Sequence, residues 1–228
     1  MSPTARHGTI YSRALLPVLA AILLPAVGFA AQEEAPFIPE AAKEGVAEGN
    51  AAFLKKDYAG ARKAFEKVLG LMPESLVALV NLGLVEFYSG HPDRAEELLK
   101  RAVAVRLENP AAWLTLGMIY MDAEKFDEAL AALSQAMVQD PRNARIRNFL
   151  GVVIGRKGWL DGAQSELRRA VELDPGYAEA HYNLAVFYLE EKPPAIELAR
   201  RHYYRSVELG AEKDAAIEKV LNSGTGTR

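Results

Sequence analysis

Cysteine is absent from all 228 residues. The chain can therefore hold no disulfide, no thiolate metal site and no thiol nucleophile. The same absence removes the lipid-modified cysteine that tethers many exported proteins. An excess of positive charge is also missing, since 27 Lys and Arg stand against 30 Asp and Glu, a formal net charge of -3. A nucleic-acid binder needs a basic face, so no nucleic-acid partner is expected. Histidine is scarce: His7, His91, His181 and His202 are the only four, and none pairs with another at metal-ligand spacing. The stretch from Gly151 to Lys157 has the wrong glycine spacing for a phosphate loop and no Ser or Thr after its lysine. No catalytic, cofactor or metal site is expected, and the chain reads as no enzyme. No segment alternates polar and apolar with period two, so no sheet is expected either.

Long apolar runs are missing but for one, at residues 14–28. That run is too short to span a bilayer, which takes about 20 residues, and Pro17 and Pro25 interrupt it. Arg6, His7 and Arg13 precede it, and the small residues Gly28 and Ala30 follow in the positions a signal peptidase reads. Residues 1–30 are thus expected to be a signal peptide cleaved after Ala30, leaving an exported protein, periplasmic or secreted, with no membrane span. An uncleaved N-terminal anchor is the alternative. Cleavage would remove two basic residues and no acid, leaving the mature chain at -5. Residues 31–40, with Pro36 and Pro39, read as a flexible linker, and 223–228 as a frayed Gly/Thr-rich tail.

What the sequence does have is periodicity. Gly49, Gly83, Gly117 and Gly151 stand 34 residues apart, with Ala185 at the next step. Ala61, Ala95, Ala129 and Ala163 keep the same interval, as do Phe65, Leu99, Leu133 and Leu167. Pro73, Pro141 and Pro175 fall in a further register. A fixed period of this length marks a repeat architecture. Each unit reads as two antiparallel helices. A small residue on the first helix, Gly83 or Gly117, admits the second helix where Ala95 or Ala129 sits, the close approach that ridge-into-groove packing requires. Asp57, Asp122 and Gly158 supply the break within a unit, and the prolines end it.

The segment Trp113-Leu114-Thr115-Leu116-Gly117-Met118-Ile119-Tyr120, followed by Ala129, Leu133, Ala136 and Pro141, resembles the tetratricopeptide repeat. The resemblance spans repeats at 42–75, 76–109, 110–143, 144–177 and 178–211. Repeat two departs from it by carrying Leu107 in place of proline, with Pro110 three residues later. Repeat five has Ala185 for glycine and two residues inserted near Pro193. The resemblance implies an all-α, right-handed α-solenoid of about five helix-turn-helix repeats within residues 41–222. Residues 212–222 are expected as a capping helix, which a solenoid needs to cover its last apolar face.

It also implies a concave groove. Carried over position by position, its partner-binding residues are Asn50, Phe53, Val77, Val80, Leu84, Phe87, Leu114, Met118, Met121, Arg145, Asn148, Val152, Tyr182 and Val186. Repeats two and three would present an apolar wall, and exposed apolar patches of that kind mark binding sites. Burial between helices, cover by the chain's own linker and a second copy of the chain are the alternatives. Arg145 and Asn148 are the residues suited to a ligand backbone or carboxylate. Arg142, Arg147, Arg156 and Lys157 add a basic patch. A clamp for acidic chaperone C-termini is not expected, because Val46, Ala111 and Thr115 stand where its cations would be. The function implied is an extracytoplasmic scaffold or adaptor for other proteins or peptide segments. A self-associating module, forming a homo-oligomer, and a factor in pilus, secretion or polysaccharide-export assembly are the alternatives.

Overall fold

The computed structural model describes residues 38–223. The expected signal peptide, most of the linker and nearly all of the C-terminal tail lie outside the described residues. Within them the chain is all helical, with no strand. Eleven helices follow in order: α1 Glu40–Leu54, α2 Tyr58–Leu71, α3 Leu76–Tyr88, α4 Pro92–Val105, α5 Pro110–Asp122, α6 Phe126–Gln139, α7 Ala144–Arg156, α8 Leu160–Leu173, α9 Ala178–Glu190, α10 Ile196–Glu208 and α11 Ala215–Ser223. Of the described residues, 38–119 form one compact unit and 120–223 another, the division falling within α5.

Turn chemistry repeats with the same period as the core. Lys56, Gly90, Glu124 and Gly158 stand 34 residues apart, and each has positive φ, at 60°, 85°, 57° and 87°. This left-handed residue reverses the chain between the two helices of a hairpin. Glycine takes that conformation freely, whereas other L-residues lose about 1–2 kcal/mol there. Asp57 caps α2, its carboxylate accepting from the Gly60 amide at 2.9 Å. Asp122 does not break the chain as expected; it ends α5, and Glu124 two residues later makes the reversal. A further register lies at the start of the hairpins: Ser75, Asn109 and Asn143 accept amide hydrogens of α3, α5 and α7, satisfying donors that a helix start leaves open. Pro110 is the first residue of α5, where its missing N–H costs nothing.

In the N-terminal unit, α1 packs on α2 and α3 on α4. A Cβ built on Gly49 would lie 2.7 Å from the Phe65 ring, and one on Gly83 2.8 Å from Leu99 Cγ. The three atoms nearest such a Cβ at Gly83 all belong to Leu99. The large residue sixteen positions on is the knob, and the glycine is its socket. Phe65 and Leu99 are wholly buried, and full burial of such a side chain contributes about 1.5–3 kcal/mol. A buried ion pair joins the two hairpins. Glu86, 1% exposed, accepts from Arg62 Nε at 2.7 Å and Nη2 at 2.9 Å, with His91 Nδ1 at 3.2 Å.

In the C-terminal unit, α7–α8 and α9–α10 repeat the arrangement. A Cβ on Gly151 would meet Leu167 Cγ at 2.8 Å, with the Ala163 carbonyl oxygen at 3.0 Å. Here the alanine does approach, through its backbone. The insertion at residues 191–195 interrupts the period, and Gln164 on α8 reaches across to Glu191 at 2.6 Å. The last helix begins at Ala215 rather than at residue 212, because Asp214 Oδ1 accepts from the amides of Ala216 and Ile217. Its Ile217 and Leu221 are buried with Tyr203 and Ala199 of α10.

Candidate functional site

The first helices of neighbouring hairpins touch one another within each unit, and polar side chains tie them. Asn81 on α3 donates to Asn50 Oδ1 on α1 at 3.0 Å, and Asn81 Oδ1 is buried with no hydrogen-bond partner. In the C-terminal unit Arg145 and Asn148 lie one turn apart on α7, and Glu179 and Asn183 one turn apart on α9. Spacings of three and four put each pair on one helix face. Asn148 Nδ2 donates to Glu179 Oε1 at 3.1 Å and to the Tyr177 hydroxyl at 3.3 Å, and Asn148 Oδ1 accepts from Asn183 at 2.9 Å. Glu179 stands 31 residues after Asn148, the same interval as Asn81 after Asn50.

The electrostatics of this cluster follow from its burial. Desolvation pushes the Glu179 carboxyl above the usual carboxylate range, against the pull of its bond from Asn148 and of the Arg145 charge. It pushes the Tyr177 phenol well up too, with the Glu179 charge adding to it. Arg145 is half-buried, and its Nε and Nη1 are buried with no hydrogen-bond partner. An unbonded buried donor costs about 1–3 kcal/mol, more when charged. The described residues provide no hydrogen-bond acceptor for these two groups.

The fourteen residues expected to line a groove divide in two. Asn50, Val77, Phe87, Met121, Arg145 and Val186 are half-buried and reach the surface. Phe53, Val80, Leu84, Leu114, Met118, Asn148, Val152 and Tyr182 are buried, none more than 8% exposed. The apolar wall expected of repeats two and three is thus corrected. Helices α3 and α5 are apolar on more than one face, and the residues read as wall are core. Phe53 packs its ring against Tyr58 and Tyr88, both 5.8 Å away. Tyr182 donates to Asp214 at 2.9 Å, so its hydroxyl is already used. Two residues of the expected basic patch are engaged in structure as well: Arg147 bonds the Pro141 carbonyl and Glu166, and Lys157 pairs with Asp127 beside the Trp159 ring. Sequence reasoning missed Tyr177 and Asn183 as members of the cluster, while Glu179 falls at a groove position that the resemblance implies. The signal was the 31-residue offset, not the 34-residue period.

Tetratricopeptide repeat models match residues 52–105, 86–152 and 166–202. A relative from Caenorhabditis elegans, Tetratricopeptide repeat protein 8, is 26% identical over 149 residues; the match takes in 64% of this chain but only 29% of that protein's length. Among solved structures, a crystal structure of MamA is 25% identical at a TM-score of 0.59, covering 71% of this chain and 93% of its own. The Pseudomonas aeruginosa PilF structure aligns at a TM-score of 0.71 and 19% identity, covering 82% of this chain and 86% of its own, a likeness of fold.

Proposed function

Since the chain belongs to the tetratricopeptide repeat family, whose repeats build scaffolds for protein–protein interaction, we propose that it is an exported, non-catalytic adaptor that seats an extended or helical segment of a partner against the first helices of its hairpins. The carrying observation is Arg145, whose two buried, unbonded N–H groups sit beside Asn148 and Glu179. A backbone carbonyl or carboxylate of a bound segment supplies an acceptor once the half-buried side chain turns outward, and charge-assisted bonds of this kind are the stronger ones. Half-buried Met121 and Val186 of the same unit supply apolar contact, Met121 with the adaptability of a thioether. Export rests on the basic leader and short apolar run at residues 1–30.

Site-specific photo-crosslinking in the native host tests the surface without disturbing the core. A photoreactive side chain at Met121 or Val186 is expected to trap partner chains, while one at exposed Lys100 on the second helix α4 is not. Equal trapping at both kinds of position, or none at either, defeats the reading. Trapping of a second copy of this chain assigns the surface to self-association instead. For export, the N-terminus of the protein recovered from cells is expected at Ala31 and in the extracytoplasmic fraction. An intact Met1 in the cytoplasm refutes it.

A further inference from the structure

A pocket of about 440 Å³ in the C-terminal unit is lined by Pro175, His181, Arg201, His202, Arg205 and Glu208, among others. It is separate from the groove cluster, and its hydrogen bonds fix where its protons are. His181 Nε2 lies 3.3 Å from the Pro175 carbonyl oxygen. A carbonyl only accepts, so Nε2 carries the hydrogen of the neutral ring and Nδ1 is a lone pair. His202 Nδ1 lies 2.9 Å from that lone pair, so His202 must donate from Nδ1. Ring centres 5.1 Å apart with a 28° tilt set the two rings edge to edge, nitrogen facing nitrogen. By elimination His202 Nε2, on the other side of its ring, is a bare lone pair, and no hydrogen bond from the described residues reaches it.

The fixed charge nearest His202 is positive. Arg201 adjoins it on α10 and makes no ion pair among the described residues, while the neutral His181 ring faces it from α9. The uncharged Tyr188 ring of α9 lies 5.8 Å away. Arg205 lines the same pocket and is held by Glu208 at 3.0 Å, both side chains being exposed. Asp174 acts on His181. Tyr204 is 40% exposed at the rim. Burial first, then His181 and Arg201, push the His202 imidazole down to about 4. This is a small cationic pocket containing one neutral ring nitrogen that can take up a proton.

We propose that this pocket binds an oxyanion, a carboxylate or phosphate group, between Arg201, Arg205 and His202, and that binding delivers a proton to His202 Nε2. A bare lone pair repels an acceptor oxygen, whereas the protonated nitrogen donates to it while Nδ1 keeps its bond to His181. The anion offsets the positive field of Arg201 and displaces Glu208 from Arg205. Because coupling between two ligands is reciprocal, the anion raises the proton affinity of His202 as acid raises affinity for the anion.

The test is the His202 titration in the full chain, followed by imidazole NMR, with inorganic phosphate, acetate or chloride at matched ionic strength and at matched concentration of the anionic form. Phosphate or acetate is expected to raise the His202 pKa from about 4 by about one unit, saturably, a tenfold preference of the anion for the protonated pocket. A rise with phosphate alone or with acetate alone names the source of the oxyanion, and either supports the proposal. Arg201→Gln, a change at an exposed side chain, is expected to abolish the rise while circular dichroism stays native. An unmoved pKa, an equal rise in chloride, or a rise retained in Arg201→Gln overturns it.

Discussion

The socket-and-knob reading of the hairpins predicts that one substitution, glycine to alanine, changes sign with position. At Gly83 the new Cβ would lie 2.8 Å from Leu99 Cγ and 3.0 Å from Cδ2. Both are well inside ordinary carbon–carbon contact. Leu99 is wholly buried, so it can yield only by leaving its rotamer or moving α4. Overpacking of this kind costs about 1–3 kcal/mol, while alanine gains about 1 kcal/mol of helix propensity over glycine. The net expectation for Gly83→Ala is a loss of about 0–2 kcal/mol. At Gly70, on exposed α2 surface, a Cβ would meet nothing within 4 Å, so Gly70→Ala is expected to gain about 0.5–1 kcal/mol. Urea denaturation followed by circular dichroism measures both, comparing midpoints at equal slope. Adding Leu99→Ala to Gly83→Ala should cost less than the two single losses together, a coupling that contact between the sites requires. If Gly83→Ala raises the midpoint as Gly70→Ala does, the socket is not sterically closed and the reasoning fails.

Three further outcomes follow from the same structure. Lys56→Gly and Glu124→Gly, at the positive-φ turns, are each expected to stabilise by about 1 kcal/mol, since the glycine relieves left-handed strain; a lowered melting temperature contradicts this. Arg62→Ala strips the buried Glu86 of its main partner but leaves Arg94 Nε at 3.5 Å and His91 Nδ1 at 3.2 Å, and is expected to cost about 1–3 kcal/mol, whereas Lys43→Ala, at an exposed pair with Glu40, shifts the midpoint little. Glu86 is held below the usual carboxylate range by the Arg62 bond, so its contribution is present above that range and lost as pH falls through its folded value. His202 acts in the opposite part of the scale. Its folded pKa of about 4 lies below the unfolded value near 6.5, so the unfolded chain binds more protons in between. Stability should be full above pH about 6.5 and decline toward pH about 4, by about 1–2 kcal/mol after screening at this half-exposed ring. His202→Gln should flatten that limb of the profile, and an unchanged limb refutes the assignment.

The hairpin positions were legible because steric registers leave the same residue at each step: glycine where Phe65, Leu99 or Leu167 inserts, alanine where backbones approach. Burial of the first helices was not legible. Position numbers inherited from a resemblance say which face a residue shares, but Val80, Leu84, Leu114 and Met118 look identical as wall or as core when α3 and α5 are apolar all round. Only packing distinguishes the two. The polar cluster escaped for a different reason. Asn50 with Asn81, and Asn148 with Glu179, pair across an offset of 31 residues, which joins one repeat to the next rather than matching a position to itself.

The hardest register to read is the one in which chemistry is kept while residue type is lost. Trp113, Arg147 and His181 stand 34 residues apart and share neither charge nor shape. Yet each donates a side-chain N–H to the carbonyl oxygen six residues before it: Leu107 at 2.8 Å, Pro141 at 2.9 Å and Pro175 at 3.3 Å. The turn entering a repeat leaves that carbonyl without a helical partner, and any ring or guanidinium N–H of sufficient reach satisfies it. Repeat two has Leu79 at this position and no donor, and there Arg101 of α4 reaches the Pro73 carbonyl at 3.3 Å instead. The demand is periodic although the residues that meet it are not. In the last repeat, meeting it with histidine leaves Nδ1 of His181 free to engage His202, so a backbone requirement of the fold sets the protonation of the pocket beside it.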